Sequence, residues 1–325
     1  MGMKRAVLIG IRFLIAFAIL YFLFSRIPFS NVISTLASTK LNYLIFASIL
    51  TIISQLIAAS RLKFFTRMQG MSLTALQVFE INLVTAFYGF FLPGGSLAGG
   101  VIRFYKLSIN DKKITEAFAS LALDRITATI ALCIVGIVFW LIHFPSDSGY
   151  IIISMAAILF MLIISILITM TSKRILQVSR MIDLNKVSLV ASSMRKFFDA
   201  IDRFRNFSIS AVVFILGISV VSQILGVIVY YVLALSLGIE ISFFAMGWIR
   251  CAVLLVVMVP ISISGLGIRE VSLLFLLSPY GVQGDKALAL SLAIFGVTTV
   301  LIGVIGGLLE VRKFLLQSFS ALRSG

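Results

Sequence analysis

Residues 208–237 read SISAVVFILGISVVSQILGVIVYYVLALSL, thirty consecutive positions without Asp, Glu, Lys or Arg. An α-helix needs about 20 such residues to cross the roughly 30 Å hydrocarbon layer of a bilayer. The run therefore predicts a transmembrane helix. Five further apolar stretches bring the predicted number of full spans to six: about 6–24, 41–59, 115–141, 150–170 and 286–309.

The composition of the whole chain agrees with that prediction. Of its 325 residues, 61% are hydrophobic and 12% are charged, and the mean hydropathy is +1.16. Soluble domains are about a quarter charged, so a water-soluble globule, a disordered chain and a small disulfide-stapled module are excluded. We predict an all-α polytopic membrane protein that forms one membrane domain over 1–325.

The formal charge of +15 indicates the orientation of the chain in the membrane rather than binding to nucleic acid. Cytoplasmic loops of membrane proteins are enriched in Lys and Arg. With the N-terminus inside, twenty such residues, Arg61 and Lys106 among them, fall in predicted cytoplasmic segments. Three fall outside: Arg26, Lys40 and Lys286. Both termini are therefore predicted to be cytoplasmic, in a multi-pass protein of the cell membrane.

Two further apolar regions, about 73–108 and 243–280, are interrupted by Pro and Gly. Residues 87–103 read FYGFFLPGGSLAGGVIR, and residues 256–270 read VVMVPISISGLGIRE. Pro lacks an amide hydrogen and Gly is entropically costly in a helix, so each cluster should break its helix. The breaking residues are Pro93, Gly94, Gly95, Gly99 and Gly100 in the first region and Pro260, Gly265 and Gly267 in the second. We predict two re-entrant hairpins; the alternative is a tight turn between two full spans.

The two regions resemble each other. Arg103 lies ten residues after its Pro, Arg269 nine residues after its own, and a polar turn and a long span follow both. Repeat 1 covers about 41–141, repeat 2 about 208–310, and a basic connector of about 171–207 lies between them.

By the predicted topology the first hairpin opens to the cytoplasm and the second to the outside, so the repeats are inverted. Inverted repeats with broken helices form midplane sites in many transporters, with helix N-termini directed at an anion. We expect the segments after the breaks to begin at about Leu97 and Leu266.

Charged residues within the apolar regions are the candidate site. Each costs about 2.5–3.5 kcal/mol to insert near the bilayer centre and so usually faces the protein interior. Arginines outnumber acids by four to three, which suits an anionic ligand, since guanidinium matches phosphate. The alternative for each is a structural ion pair. The candidates are Arg103, Arg125, Arg250, Arg269, Glu80, Asp124 and Glu270.

Pairing predictions follow from these charges. Asp124 and Arg125 point about 100° apart on a helix, so each should pair elsewhere. We expect Glu80 to pair with Arg103 or Arg125, and Glu270 to pair with Arg250.

Catalytic motifs are lacking in the sequence. The single histidine, His143, lies in a predicted interfacial loop, and no Cys/His cluster, paired-carboxylate metal motif or nucleotide-binding loop occurs. We expect no enzymatic activity, no cofactor and no metal.

The motifs LPGGSLAGGVIRFYKLS, the Leu-Asp-Arg at 123–125 and PISISGLGIREVSLLFLL make the chain similar to the transmembrane-region family of lysylphosphatidylglycerol synthase, the flippase-like membrane proteins. The likeness covers nearly the whole chain. It implies movement of a lipid or polyisoprenoid phosphate between leaflets, without naming that lipid. The soluble aminoacyl-transfer domain of the bifunctional enzyme is missing from this sequence, so lysyl transfer is not expected.

The expected function is translocation of an anionic, phosphate-bearing lipid through a polar cavity between the hairpins. Its binding residues would be the seven charged residues and eight breaking residues named above. Two alternatives stay open: a small-anion or solute transporter that uses the same site, and an accessory subunit of a lipid-modifying enzyme. The expected partner is an anionic membrane lipid, with no nucleic acid.

Overall fold

The computed structural model describes residues 29–37, 39–91, 96–143, 208–258 and 265–324. Within these ranges all regular secondary structure is helical and no β-strand occurs, so the predicted all-α class is confirmed. The predicted spans 6–24 and 150–170 and the connector 171–207 lie outside the described residues.

Ten α-helices make up the described part of the chain. They are α1 Phe29–Ala37, α2 Leu41–Met68, α3 Ala75–Phe91, α4 Ser96–Asp111, α5 Ile114–His143, α6 Ile209–Ser236, α7 Phe243–Met258, α8 Ile268–Leu277, α9 Gly284–Phe295 and α10 Leu301–Ser324. A 3₁₀ turn, Ser278–Tyr280, follows α8. A π-helical turn, Gly296–Val300, joins α9 to α10, so that an apolar helix runs from Gly284 to Leu315.

Four of these helices are long and apolar enough to cross a membrane: α2, α5, α6 and the joined α9–α10. They match four of the six predicted spans, and the chain is an integral, multi-pass membrane protein. The helix that contains the second predicted span is longer than the span itself, because α2 continues to Met68. Leu62 and Phe65 are fully buried in this last part, so the apolar face continues past the charge at Arg61.

Both interrupted regions consist of two short helices that pack against each other: α3 with α4, and α7 with α8. The longest of the four, α3, has 17 residues, about 26 Å at 1.5 Å per residue, which is less than a full hydrocarbon layer. The helices resume at Ser96 and Ile268, close to the expected Leu97 and Leu266. The break residues Pro93, Gly94, Gly95 and Pro260 lie outside the described residues.

The helices of the two halves are interleaved. Helix α2 packs on α6, α3 packs on α10, and α7 packs on α5. Ser54 of α2 forms a hydrogen bond with Ser222 of α6. Arg61, which lies later in α2, donates a hydrogen bond to Ser219, which lies earlier in α6. The contacts thus run in opposite order along the two helices, so α2 and α6 are antiparallel.

Glycines allow the closest of these contacts. A Cβ added at Gly306 of α10 would overlap the backbone carbonyl of Leu83 on α3, and one at Gly307 would lie 2.8 Å from the Phe87 ring. Small residues let membrane helices approach closely, since lipid gives no hydrophobic drive to associate. Large apolar side chains on the outer faces, such as Ile49 of α2 and Val213 of α6, are half exposed or more, as lipid-facing positions should be.

Candidate functional site

Asp124 joins three helices near the first break. Its Oδ1 accepts a hydrogen bond from Nε of Arg61 on α2 at 2.7 Å, and its Oδ2 lies 3.5 Å from Nη2 of Arg103 on α4. The side chains of Arg61 and Asp124 are each 6% exposed. A buried carboxylate must be paired to remain charged, and Asp124 has two guanidinium groups for that purpose.

Positive charge exceeds negative charge in this cluster. Arg61 and Arg125 both lie close enough to Arg103 to repel its charge, and Asp124 is the acid that faces them. Three arginines and one carboxylate give a net charge of about +2. The Nε of Arg103 is buried without a hydrogen-bond partner, while Arg125 is exposed on α5. We call Arg61, Arg103, Arg125 and Asp124 the arginine cluster.

The second break has a closed ion pair beside it. Glu270 accepts from Arg269 Nη2 at 2.9 Å and from the Ser291 hydroxyl at 2.7 Å through Oε1, and from the Gly267 backbone amide at 2.6 Å through Oε2. Arg269 also donates to Ser291 and lies 5.0 Å from the centre of the Phe295 ring. Both charged residues are buried, so this pair fixes the start of α8.

The predicted pairing of Glu270 with Arg250 is therefore wrong. Arg250, on α7, donates to the Gln223 amide oxygen of α6 at 3.1 Å and lies over the Tyr230 ring. It is 8% exposed, and its Nε is buried without a hydrogen-bond partner. A Cβ at Gly226 would overlap its guanidinium, so that glycine makes the space for it.

A groove of about 500 Å³ lies between α3, α4 and α10. Lys106 Nζ contacts both carboxylate oxygens of Glu310, at 2.6 and 2.8 Å. The Tyr88 hydroxyl donates to the same carboxylate at 3.1 Å, and Lys313, another lining residue, pairs with Glu80 at 2.6 Å. The predicted pairing of Glu80 with Arg103 or Arg125 is thus wrong, because Glu80 faces α10.

The apolar walls of the groove come from the same three elements and the residues before α3. They include Leu73, Ile81, Ile102 and Ile109, with Tyr105 beside Lys106. The groove is therefore apolar along its walls and charged at the α10 side.

The described glycines of the breaks have different roles. An added Cβ at Gly99 would lie 2.9 Å from the Thr85 carbonyl oxygen, so Gly99 lets α4 pack on α3. Gly100 faces open space. Gly265 and Gly267 have φ of +76° and +84°, a conformation that L side chains rarely adopt.

The sequence pattern does not identify Arg61, Lys106 or Glu310 as site residues, although it does identify Asp124, the partner of Arg61. It predicts Arg61 and Lys106 as topological charges of cytoplasmic segments, but both lie in helices and make interhelical ion pairs. The sequence does contain an indication that Arg61 lies within the helix, because the apolar residues Leu62 and Phe65 follow it at helical spacing.

His143 ends α5 in a structural contact. One ring nitrogen lies 3.0 Å from the Tyr280 hydroxyl and the other 3.3 Å from the Ser242 hydroxyl. These bonds join α5 to the start of α7 and to the 3₁₀ turn. Among the described residues no group of three His, Cys, Asp or Glu side chains could hold a metal.

Comparison with known proteins identifies relatives over nearly the whole chain. The family model described as the lysylphosphatidylglycerol synthase TM region matches residues 9–306. A UPF0104 membrane protein of Methanocaldococcus jannaschii is 24% identical over 306 residues, which cover 89% of each chain.

Proposed function

The chain belongs to the lysylphosphatidylglycerol synthase transmembrane-region family, and on that premise we propose that it moves an anionic, phosphate-bearing lipid between the leaflets of its membrane. A phospholipid and a polyisoprenoid phosphate both fit this class. Membership makes the chain a membrane protein related to lipid handling; translocation through a polar midplane cavity is our proposal.

The observation that carries the proposal is the arginine cluster. Two of its arginines, Arg61 and Arg103, share one carboxylate among packed helices, where an uncompensated cation is costly. A phosphate oxygen would give the unpaired Nε of Arg103 an acceptor and would reduce the repulsion from Arg61 and Arg125. Guanidinium and phosphate form charge-assisted hydrogen bonds, which are about twice as strong as neutral ones.

An inverted repeat is part of the proposal. The helix contacts support it. Exchanging α2 with α6, α3 with α7, α4 with α8 and α5 with α9–α10 maps the α3–α10 contact onto the α7–α5 contact, and the α3–α4 contact onto the α7–α8 contact. The antiparallel order of α2 and α6 supports a two-fold axis perpendicular to the helices, in the membrane plane. Two re-entrant hairpins would then enter from opposite sides, which suits short helices such as α3 and α8.

The remaining candidate residues divide by their surroundings. We propose that Arg250 and Gln223, at the contact of α6 with α7, line the path between the breaks. Arg269 and Glu270 hold the second break in shape, since each is already paired within the protein. In this scheme the chain transports without catalysis, and its one histidine is used in packing. We place it in the cell membrane, with both termini cytoplasmic.

The groove supports a lipid rather than a small anion as the class of ligand that this chain handles, although its paired charges separate it from the arginine cluster. A small soluble anion needs a polar, enclosed site, whereas the groove presents isoleucines beside its charges. Such a surface fits a molecule with a polar head and apolar chains.

Reconstitution into vesicles tests the proposal. The full chain would be placed in liposomes with fluorescently labelled phosphatidylglycerol or a labelled polyisoprenyl phosphate, and dithionite quenching would report the exchange between leaflets. We compare Arg103→Gln with Arg312→Gln, which removes an exposed charge on α10. Loss of a charged hydrogen bond of about 1.5–3 kcal/mol should slow exchange at least about tenfold in Arg103→Gln alone.

Two outcomes would contradict the proposal. One is exchange no faster in wild-type vesicles than in empty ones for every anionic lipid tested. The other is equal slowing by Arg103→Gln and Arg312→Gln, which would mean that surface charge, and not the arginine cluster, sets the rate.

A further inference from the structure

The groove between α3, α4 and α10 differs in charge from the arginine cluster, although Arg103 and Lys106 are one helical turn apart on α4. The charged residues that line it are Lys106, Lys313 and Glu310. Lys106 pairs with Glu310, and Lys313 pairs with Glu80, which is not a lining residue. The groove therefore presents both signs of charge in ion pairs, whereas the arginine cluster has a net charge of about +2.

The groove's charged groups have unused hydrogen-bonding capacity. Lys106 and Glu310 are 27% and 26% exposed, and Lys313 is 51% exposed, so a ligand can reach them. An ammonium group has three donors and a carboxylate has about four acceptor sites. The observed contacts leave donors on both lysines and acceptor sites on Glu310 free for a ligand.

We propose that this groove binds the headgroup of a zwitterionic phospholipid, one that carries a phosphate and a primary ammonium group, as phosphoethanolamine does. The phosphate contacts Lys106 and Lys313, and the ammonium contacts Glu310. A headgroup that carries a phosphate alone has no cation to offset its repulsion by the Glu310 carboxylate. A purely cationic headgroup is repelled by the two lysines. Only a headgroup of both signs satisfies both sets of charges.

The size and walls of the groove agree with this ligand. A volume of about 500 Å³ lies within the range of about 300–1,000 Å³ typical of small-molecule sites. Ile81 and Ile102 line it next to the charges, where the glycerol and the first acyl carbons would lie. The Tyr88 hydroxyl donates to Oε1 of Glu310 at 3.1 Å, which restricts the orientation of the carboxylate.

This site does not depend on translocation. A chain that binds lipid but does not move it would still bind the zwitterion here, so the test measures binding at equilibrium. Full-length protein in detergent would be titrated with phosphatidylethanolamine or phosphatidylglycerol of the same acyl chains, with bound lipid counted by native mass spectrometry. Soluble glycerophosphoethanolamine and diacylglycerol would be added as competitors.

The main variant is Lys106→Gln with Glu310→Gln, which removes both charges, keeps the net charge of the chain and leaves neither partner unpaired. Its matched control is Arg312→Gln with Glu240→Gln, two exposed residues outside the groove. A third variant, Lys313→Gln, alters a half-exposed side chain and keeps the test possible if the double variant does not fold.

We expect the double variant to weaken phosphatidylethanolamine binding about tenfold, as loss of one charged hydrogen bond implies, with phosphatidylglycerol changed less than about twofold. Lys313→Gln should also weaken phosphatidylethanolamine binding, and the control variant should bind this lipid as the wild type does. Glycerophosphoethanolamine should compete with phosphatidylethanolamine for the groove. Arg103→Gln should weaken phosphatidylglycerol alone. Unchanged phosphatidylethanolamine binding in the groove variants, equal losses for both lipids, or competition by diacylglycerol alone would overturn the proposal.

Discussion

Asp124→Asn is the sharpest test of the arginine cluster as a packed structure. The substitution exchanges one oxygen for nitrogen and removes the negative charge that faces Arg61 and Arg103. The Arg61–Asp124 contact is 2.7 Å and both side chains are 6% exposed. Removing one partner of such a buried pair costs about 3–5 kcal/mol, because the other charge stays buried and uncompensated.

Glu80→Gln supplies a matched control. It breaks a contact of 2.6 Å to Lys313, almost the same length, but the Lys313 side chain is 51% exposed. Exposed pairs contribute about 0–1 kcal/mol, since water already screens them. The two variants therefore make the same chemical change at the same contact distance and differ in burial.

The assay is unfolding of the purified chain in mixed micelles titrated with sodium dodecyl sulfate and followed by circular dichroism. We expect Asp124→Asn to lower the free energy of unfolding by at least about 2 kcal/mol more than Glu80→Gln. A double-mutant cycle with Arg61→Gln should give a coupling energy above about 1 kcal/mol. Equal losses from the two acid variants, or an additive cycle, would refute the buried pair.

Four further substitutions are tested in the same titration. Gly306→Ala puts a methyl group against the Leu83 carbonyl and should cost about 1–3 kcal/mol through overpacking; unchanged stability would contradict the α3–α10 contact. Gly267→Ala forces an L side chain to φ +84° and should cost about 1–2 kcal/mol, whereas Gly100→Ala, with open space around it, should not destabilise. His143→Phe removes two hydrogen bonds and should cost about 1–3 kcal/mol; an unchanged midpoint would show that they contribute nothing.

The sequence was sufficient for the helices because their signals are local. A run without charges, as in 208–237, predicts a span by length alone, and the glycines at 265 and 267 mark the start of α8, because both adopt a positive φ. Those predictions need no knowledge of the rest of the chain.

The side-chain pairs could not be predicted in the same way, because they depend on how each helix is rotated about its axis. Arg61 is compensated by a carboxylate 63 residues later, and Lys106 by one 204 residues later. A hydropathy pattern predicts both cations to lie in loops, because a charged residue interrupts an apolar run even when a carboxylate from another helix neutralises it. The sequence predicts that Glu80 pairs with Arg103 or Arg125 and that Glu270 pairs with Arg250. In the structure Glu80 pairs with Lys313 of another helix, and Glu270 pairs with its neighbour Arg269.

The interleaving of α3 with α10 has a consequence for how the protein is made. Tyr88 and Glu310, which meet across that contact, are 222 residues apart. At ribosomal speeds of about 5–20 residues per second, on the order of 10–40 s pass between the synthesis of the two. During that interval the face of α3 that receives the α10 glycines lacks this partner. The α3–α10 contact can therefore form only after α10 has been made, and until then the insertion machinery or lipid can cover that face.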